Sequence, residues 1–151
     1  MRAVITRVRN ASVEISGQIV GEIGQGFLIL LGIAPEDTPV HCTKLADKIL
    51  GLRVFEDENG KMNRSLTDVQ GQVLVVSQFT LYGDCSHGRR PSFIGAGAPA
   101  HAKELYEKFV DMVRAENIHV ETGEFGADME VSLVNDGPVT IIMNSADYKK
   151  H

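Results

Sequence analysis

The sequence predicts an α+β fold in which mainly antiparallel sheets curl into a barrel-like core and two helices pack on the outside. Three observations predict it. Strand-like and helix-like segments follow one another as strands, helix, strands, helix, strands, without the regular βαβ alternation that a doubly wound sheet requires. Each helical segment carries an apolar stripe on one side only, which needs a sheet face to cover it. The 151 residues, 43% hydrophobic and 23% charged, have the composition of one ordinary globular core. No internal repeat, linker or low-complexity stretch divides the chain, so residues 1–151 are read as a single domain.

The elements follow in order. Residues 3–8 alternate polar and apolar as a half-buried strand does, and residues 12–15 repeat the pattern with Val13 and Ile15 on one face, which predicts a hairpin joining the two. Gly17-Gln18 and Gly24-Gln25-Gly26 punctuate the next segments. Residues 27–33 are continuously apolar, as in a strand buried on both faces, and Pro35 ends them. Asp37 or Thr38 caps a helix with Pro39 in its first turn, a stripe of Val40, Leu45, Ala46, Ile49 and Leu50, and Gly51 at its end. A strand at 53–56 meets the turn Glu58-Asn59-Gly60, and residues 72–79 form another apolar, β-branched strand. A loop rich in Gly, Ser and Pro spans 83–99. The second helix covers about 100–116, with Leu105, Tyr106, Phe109, Val110 and Val113 on its apolar side. Short strands are predicted at 119–121, 130–135 and 139–144, before a polar tail.

Several chemistries are excluded early. The five histidines show neither HExxH nor HxH spacing, and Cys42 and Cys85 lie apart from any CxxC, so no metal is predicted and both thiols are expected free. Gly24, Gly26 and Gly32 do not form GxGxxG, and no Walker sequence or GxSxG elbow occurs, which removes nucleotide-phosphate cradles and a conventional triad. No cofactor is predicted. A net charge of −5 argues against coating nucleic acid nonspecifically and leaves room for a small basic patch. The longest apolar stretch, 27–34, is far short of the ~20 residues of a membrane helix. No membrane partner is expected, and a cytoplasmic location is.

Two segments stand out. In Ser77-Gln78-Phe79-Thr80-Leu81 polar residues interrupt the end of a buried strand. Either the strand runs from core to rim, or the hydroxyls of Ser77 and Thr80 and the adjoining amides face a pocket. Asn135-Asp136-Gly137-Pro138-Val139-Thr140 lies between two predicted strands. It reads as a hairpin turn, or as a Gly137-Pro138 pair in the cis form, an option open to residues before proline.

Long blocks of the chain resemble the D-aminoacyl-tRNA deacylase family: MRAVITRV, KLADKILGLRVFEDENGKMN, VVSQFTLYGD, GRRPSF and FGADMEVSLVNDGPVT. The resemblance covers essentially the whole chain and includes the family's two signature motifs, SQFTL at Ser77 to Leu81 and the Gly-Pro of NDGPVT. It implies hydrolysis of the ester joining a D-amino acid to the terminal ribose of tRNA, with glycyl-tRNA mischarged on tRNA(Ala) as a further substrate. It also implies a homodimer in which a cis Gly137-Pro138 enters the partner's pocket and rejects every L residue sterically. Ser77, Gln78, Phe79 and Thr80 then form the catalytic segment, with amides near Phe79 and Thr80 stabilising the oxyanion and a substrate ribose hydroxyl activating water. A nucleophilic Thr80 is the competing mechanism, and it needs an adjacent base. Arg7 positions the Gly-Pro segment or pairs with a surface acid. Met129 walls the pocket or simply packs the core. Arg89 and Arg90, with Lys149 and Lys150, are candidate contacts to phosphates of the tRNA acceptor end. The loop Gly83-Asp84-Cys85-Ser86-His87 departs from the Lys-, Arg- and Thr-rich loop of many relatives. A noncatalytic binding module of the same architecture is the alternative, and it would protect the ester that an enzyme cleaves.

Overall fold

In the computed structural model residues 1–148 are described, and the Lys149-Lys150 pair lies outside the described residues. The first strand organises everything else. β1 (Arg2–Ile15) runs for 14 residues without the turn predicted inside it. Ala11 stays paired on both sides, to Ile23 and to Leu133, and the chain reverses instead at Ser16-Gly17, where φ is +50° and +80°. A two-residue turn with positive φ at both positions matches the twist of the strands it joins.

One edge of β1 carries β8 (Glu130–Asn144), and the other is shared between β3 (Gly26–Gly32) at residues 2–8 and β2 (Gln18–Ile23) at residues 11–15, all antiparallel. β6 (Gln72–Ser77) then pairs parallel to β3, and β7 (Val120–Thr122) parallel to β6. The sheet is therefore mixed. Its parallel part comes from two crossovers, through α1 (Pro39–Leu50) and α2 (Pro99–Arg114). A small hairpin of β4 (Phe55–Glu56) and β5 (Met62–Arg64) interrupts the first crossover, and only the last two residues of the predicted 53–56 strand pair. The two strands predicted near 130–135 and 139–144 are one continuous β8. β2 curls back toward β7, close enough that a Cβ on Gly21 would sit 2.7 Å from the Thr122 carbonyl oxygen. Only glycine permits that approach, and it brings the sheet nearly to a barrel.

Alternation along β3 and β6 explains their continuous apolar character, because each feeds two cores. Phe27, Ile29, Val73 and Val75 face the helices, while Leu28, Leu74 and Val76 face inward with Val8 and Val13. The α1 and α2 stripes close over the first face through Leu45, Ile49, Leu105 and Phe109. Burying such a side chain contributes about 1.5–3 kcal/mol, which is what holds helices of 12 and 16 residues that would be marginal alone. At the start of α1 the structure chooses between the two caps. Thr38 is the N-cap, its N–H donating to His41 Nδ1 at 2.9 Å, whereas buried Asp37 accepts from the Ala34 N–H at 2.7 Å and pairs with the Met1 amino group at 2.6 Å. Among the described residues no helix is long and apolar enough to cross a membrane.

Candidate active site

Val73 to Val76 are buried, and Ser77, half-buried, is the last residue of β6 to find a partner, Leu31 on β3. The predicted strand through Phe79 stops there because β3 ends one residue later. Gln78 donates its N–H to the Leu31 carbonyl at 2.8 Å, and Phe79–Tyr82 then winds into a 3-10 turn. Leu81 N–H closes onto the Gln78 carbonyl at 3.2 Å and Gly83 N–H onto that of Thr80 at 2.9 Å. Among the described residues the amides of Phe79 and Thr80 donate to no backbone carbonyl outside the turn. Gln78 Nε2 donates to Thr80 Oγ1.

The turn forms one rim of a cavity of about 730 Å³. Leu31, Val76, Ser77, Gln78 and Phe79 line one side. Phe93 and Ile94 close it from the long loop, Phe93 packing edge-to-face on Phe79 with ring centres 5.2 Å apart. The far wall runs from Phe125 to Met129. Met129 reaches it because residue 123 is glycine, where a Cβ would come within 2.4 Å of the Met129 sulfur. Met129 also packs against the inner core.

Gly137-Pro138 lies elsewhere. The bond is cis, and the pair sits exposed on β8 opposite Arg7, where the register with β1 slips between Thr6 and Val8. Arg7 is buried beneath it, with Nε donating to the Asp136 carbonyl at 2.9 Å and Nη1 to the Val54 carbonyl at 2.6 Å. Its acid is the Asp136 carboxylate, 3.6 Å away. Arg7 thus meets both the carbonyl and the carboxylate of Asp136, the residue before Gly137. On the other side Asn135 Oδ1 accepts from the Val139 N–H at 2.9 Å, and its Nδ2 donates to Thr140 Oγ1 at 3.1 Å.

The comparisons with known proteins agree over nearly the full length. The family model described as D-Tyr-tRNA(Tyr) deacylase matches residues 4–144. The chain is 61% identical to a D-aminoacyl-tRNA deacylase of Desulfatibacillum aliphaticivorans, covering 96% of this chain and 99% of the relative, and 60% identical to one of Thermus aquaticus, covering 97% of each. The chain belongs to the D-aminoacyl-tRNA deacylase family. A solved structure titled c-Myc DNA Unwinding Element Binding Protein superimposes with a TM-score of 0.89 at 42% identity, covering 95% of this chain and 98% of that one. Membership in the deacylase family makes the protein a hydrolase.

Set against the family's two motifs, the structure brings Ser77, Gln78, Phe79 and Met129 to one cavity, with Thr80 in the same turn. It does not bring Gly137, Pro138 or Arg7 to that cavity within one chain. Arg89 and Arg90 are exposed in the loop that an Asp84–Ser92 bridge pinches off just before Phe93. The Ser86 hydroxyl and amide hold Asp84 below the usual carboxylate range. Burial pushes the Tyr82 phenol up to about 12, so it stays neutral and offers no base. Cys42 is buried in the helix-facing core, and Cys85 is exposed.

Sequence reasoning missed Phe93, Ile94, Phe125 and Asp128, all of which line the cavity. Phe93-Ile94 left a signal, a large apolar pair in a loop otherwise made of small, polar and charged residues and proline, with no periodicity to bury it. Ile94 is 89% exposed. Asp128, the one carboxylate among the lining residues, carried no such signal.

Proposed function

We propose that the protein hydrolyses the ester of D-aminoacyl-tRNA, and of glycyl-tRNA mischarged on tRNA(Ala), to free amino acid and tRNA, working as a homodimer. The observation that carries this reading is the turn at the cavity rim. It offers the Phe79 and Thr80 amides, which no other element among the described residues engages, beside an aromatic-walled space large enough for a terminal nucleoside. Preorganised amides of this kind suit the oxyanion that develops when an ester carbonyl is attacked. An aminoacyl ester is already activated, so water, activated by a hydrogen bond to the neighbouring ribose hydroxyl, is the nucleophile, and its proton passes to the ribose oxygen that departs as the ester C–O bond breaks. The hydrogen bond that Thr80 Oγ1 receives from Gln78 supports water over Thr80, because an amide donor takes no proton from a hydroxyl.

Chirality is assigned to Gly137 and Pro138 of the second subunit, whose carbonyls occupy the space an L side chain needs. Backbone atoms exclude all L residues alike, and a glycyl ester has nothing to exclude. The exposure of this pair on β8, beside exposed Leu133, Val134 and Ile142, supports a second copy seated along that strand. Arg89 and Arg90 hold acceptor-end phosphates, and the cytoplasm, where charged tRNA is used, is the place of action. Incubation with matched D- and L-tyrosyl-tRNA tests the reading. The D ester is cleaved and the L ester persists; protection of both would establish the binding module instead.

A further inference from the structure

The turn that supplies the Phe79 and Thr80 amides is only four residues long and has left the sheet, so pairing does not hold it. β1 and β3 build its seat. Arg2 and Gly32 face each other across these strands. A Cβ on Gly32 would lie 3.1 Å from the Gln78 carbonyl oxygen and 3.2 Å from both Leu81 Cβ and Tyr82 Cδ2, so the missing side chain is what lets the turn lie against the strand end. Arg2 closes over it from the neighbouring position. Its Nη1 donates to the Leu81 carbonyl at 2.7 Å, and its guanidinium carbon stands 4.8 Å from the centre of the Tyr82 ring. Its Nε donates at 2.7 Å to Asn144 Oδ1 at the end of β8. One side chain is thereby braced on β8 and clamped on the turn.

We propose that Arg2 is a positioning residue for deacylation: through the Leu81 carbonyl and the Tyr82 ring it fixes the angle at which the Phe79 and Thr80 amides meet the ester. It touches no reacting atom, and its role rests on those amides being the oxyanion donors. Such donors are effective because they need not reorganise during the reaction, and a displacement of about 1 Å can cost as much as 10²-fold in rate. Gly32 and Arg2 act together, the first admitting the turn and the second keeping it down.

The test compares Arg2→Met, Arg2→Lys and Asn144→Ala with the wild type, using D-tyrosyl-tRNA as substrate. In Arg2→Met kcat is expected to fall about tenfold with KM within about twofold. Arg2→Lys, which keeps a charged donor for Leu81, recovers part of the loss, and Asn144→Ala, which removes only the brace, falls between. Hydrogen exchange gives the readout that does not depend on activity. The Leu81 and Gly83 amides, whose bonds close the turn, exchange faster in Arg2→Met while those of Val73 to Val76 keep their protection. A turn as protected as in the wild type overturns the clamp. A loosened turn with unchanged kcat overturns its part in the reaction, and faster exchange throughout the sheet reduces Arg2 to a general structural residue. A wild type inert on D-tyrosyl-tRNA defeats the proposed function itself, and that control alone distinguishes this failure from the others.

Discussion

The turn at Phe79–Tyr82 and the Gly137-Pro138 segment are held with equal care and differ in what they face. The turn is fastened by Leu31, seated on Gly32 and clamped by Arg2, and it looks into a cavity walled by its own chain. The Gly-Pro segment is fixed from beneath by Arg7 and across its own length by Asn135, yet it is exposed and lies outside that cavity. A segment needed only to turn the strand would not require a buried guanidinium beneath it. Rigidity aimed outward makes sense when the object to be met belongs to another body, whereas rigidity aimed inward completes a site at home. On the proposed function, the catalytic half of the site is supplied by one chain and the selective half by a second copy.

The largest expected effect separates the chemistry of the turn from its side chains. Replacing the free hydroxyl of the substrate's terminal ribose with hydrogen should lower the rate by about 10²–10⁴-fold, the loss of one positioned acid–base group. Thr80→Ala should lose only its hydrogen bond with Gln78, worth about 1 kcal/mol or roughly fivefold. Single-turnover hydrolysis of the two substrates by the two enzymes makes the comparison, and an acyl group trapped on Thr80 would reverse it.

Next comes the delivery of the Gly-Pro segment. Val134→Asp places a charge on the exposed apolar part of β8 and should weaken self-association by about 30-fold, as loss of an interface hot spot of roughly 2 kcal/mol does, with activity falling as dimer is lost. Sedimentation velocity read beside the tyrosyl-tRNA assay checks this. A D-selective monomer would show that the segment works within its own chain.

A smaller change tests the segment without touching assembly. Gly137 holds φ at +140°, and a Cβ there would meet Val139 Cγ2 at 2.7 Å and Arg7 Nη2 at 3.1 Å, so Gly137→Ala must shift the carbonyls. A shift that costs about 1.4 kcal/mol of discrimination reduces the D-over-L ratio tenfold, measured as kcat/KM on the matched esters. Unchanged selectivity in a dimeric variant would move chiral rejection elsewhere.

The smallest effect belongs to the loop. Arg89→Ala with Arg90→Ala should make the slope of log affinity against log salt shallower by about 1.4, two single-strand phosphate contacts at about 0.7 each, and should leave D-over-L preference as it was. Altered chirality with normal tRNA binding would detach these arginines from phosphate.

What the sequence by itself determined was whatever is written in local pattern. The two helices carry their stripes at 3.6-residue spacing, β3 and β6 announce burial on both faces, and the SQFTL and Gly-Pro motifs are short runs readable as they stand. Arg7 and Met129 stand out in the sequence, but their contacts, Arg7 with Asp136 and Val54 and Met129 with the cavity and the inner core, are visible only in the structure. Only the tertiary structure decided the rest. That β1 passes straight through residues 9–11 depends on partners on both its edges, Ile23 and Leu133, which no local signal reveals. That β6 ends at Ser77 depends on where β3 ends, and the parallel crossovers depend on which strands meet after a helix has intervened. Phe93, Ile94 and Asp128 enter the cavity from irregular chain, and Arg2 reaches a turn nearly eighty positions away. Periodicity reports which face of an element is buried; it carries no information about what lies against that face, because long-range contact is set by packing among elements rather than by the order of residues within one.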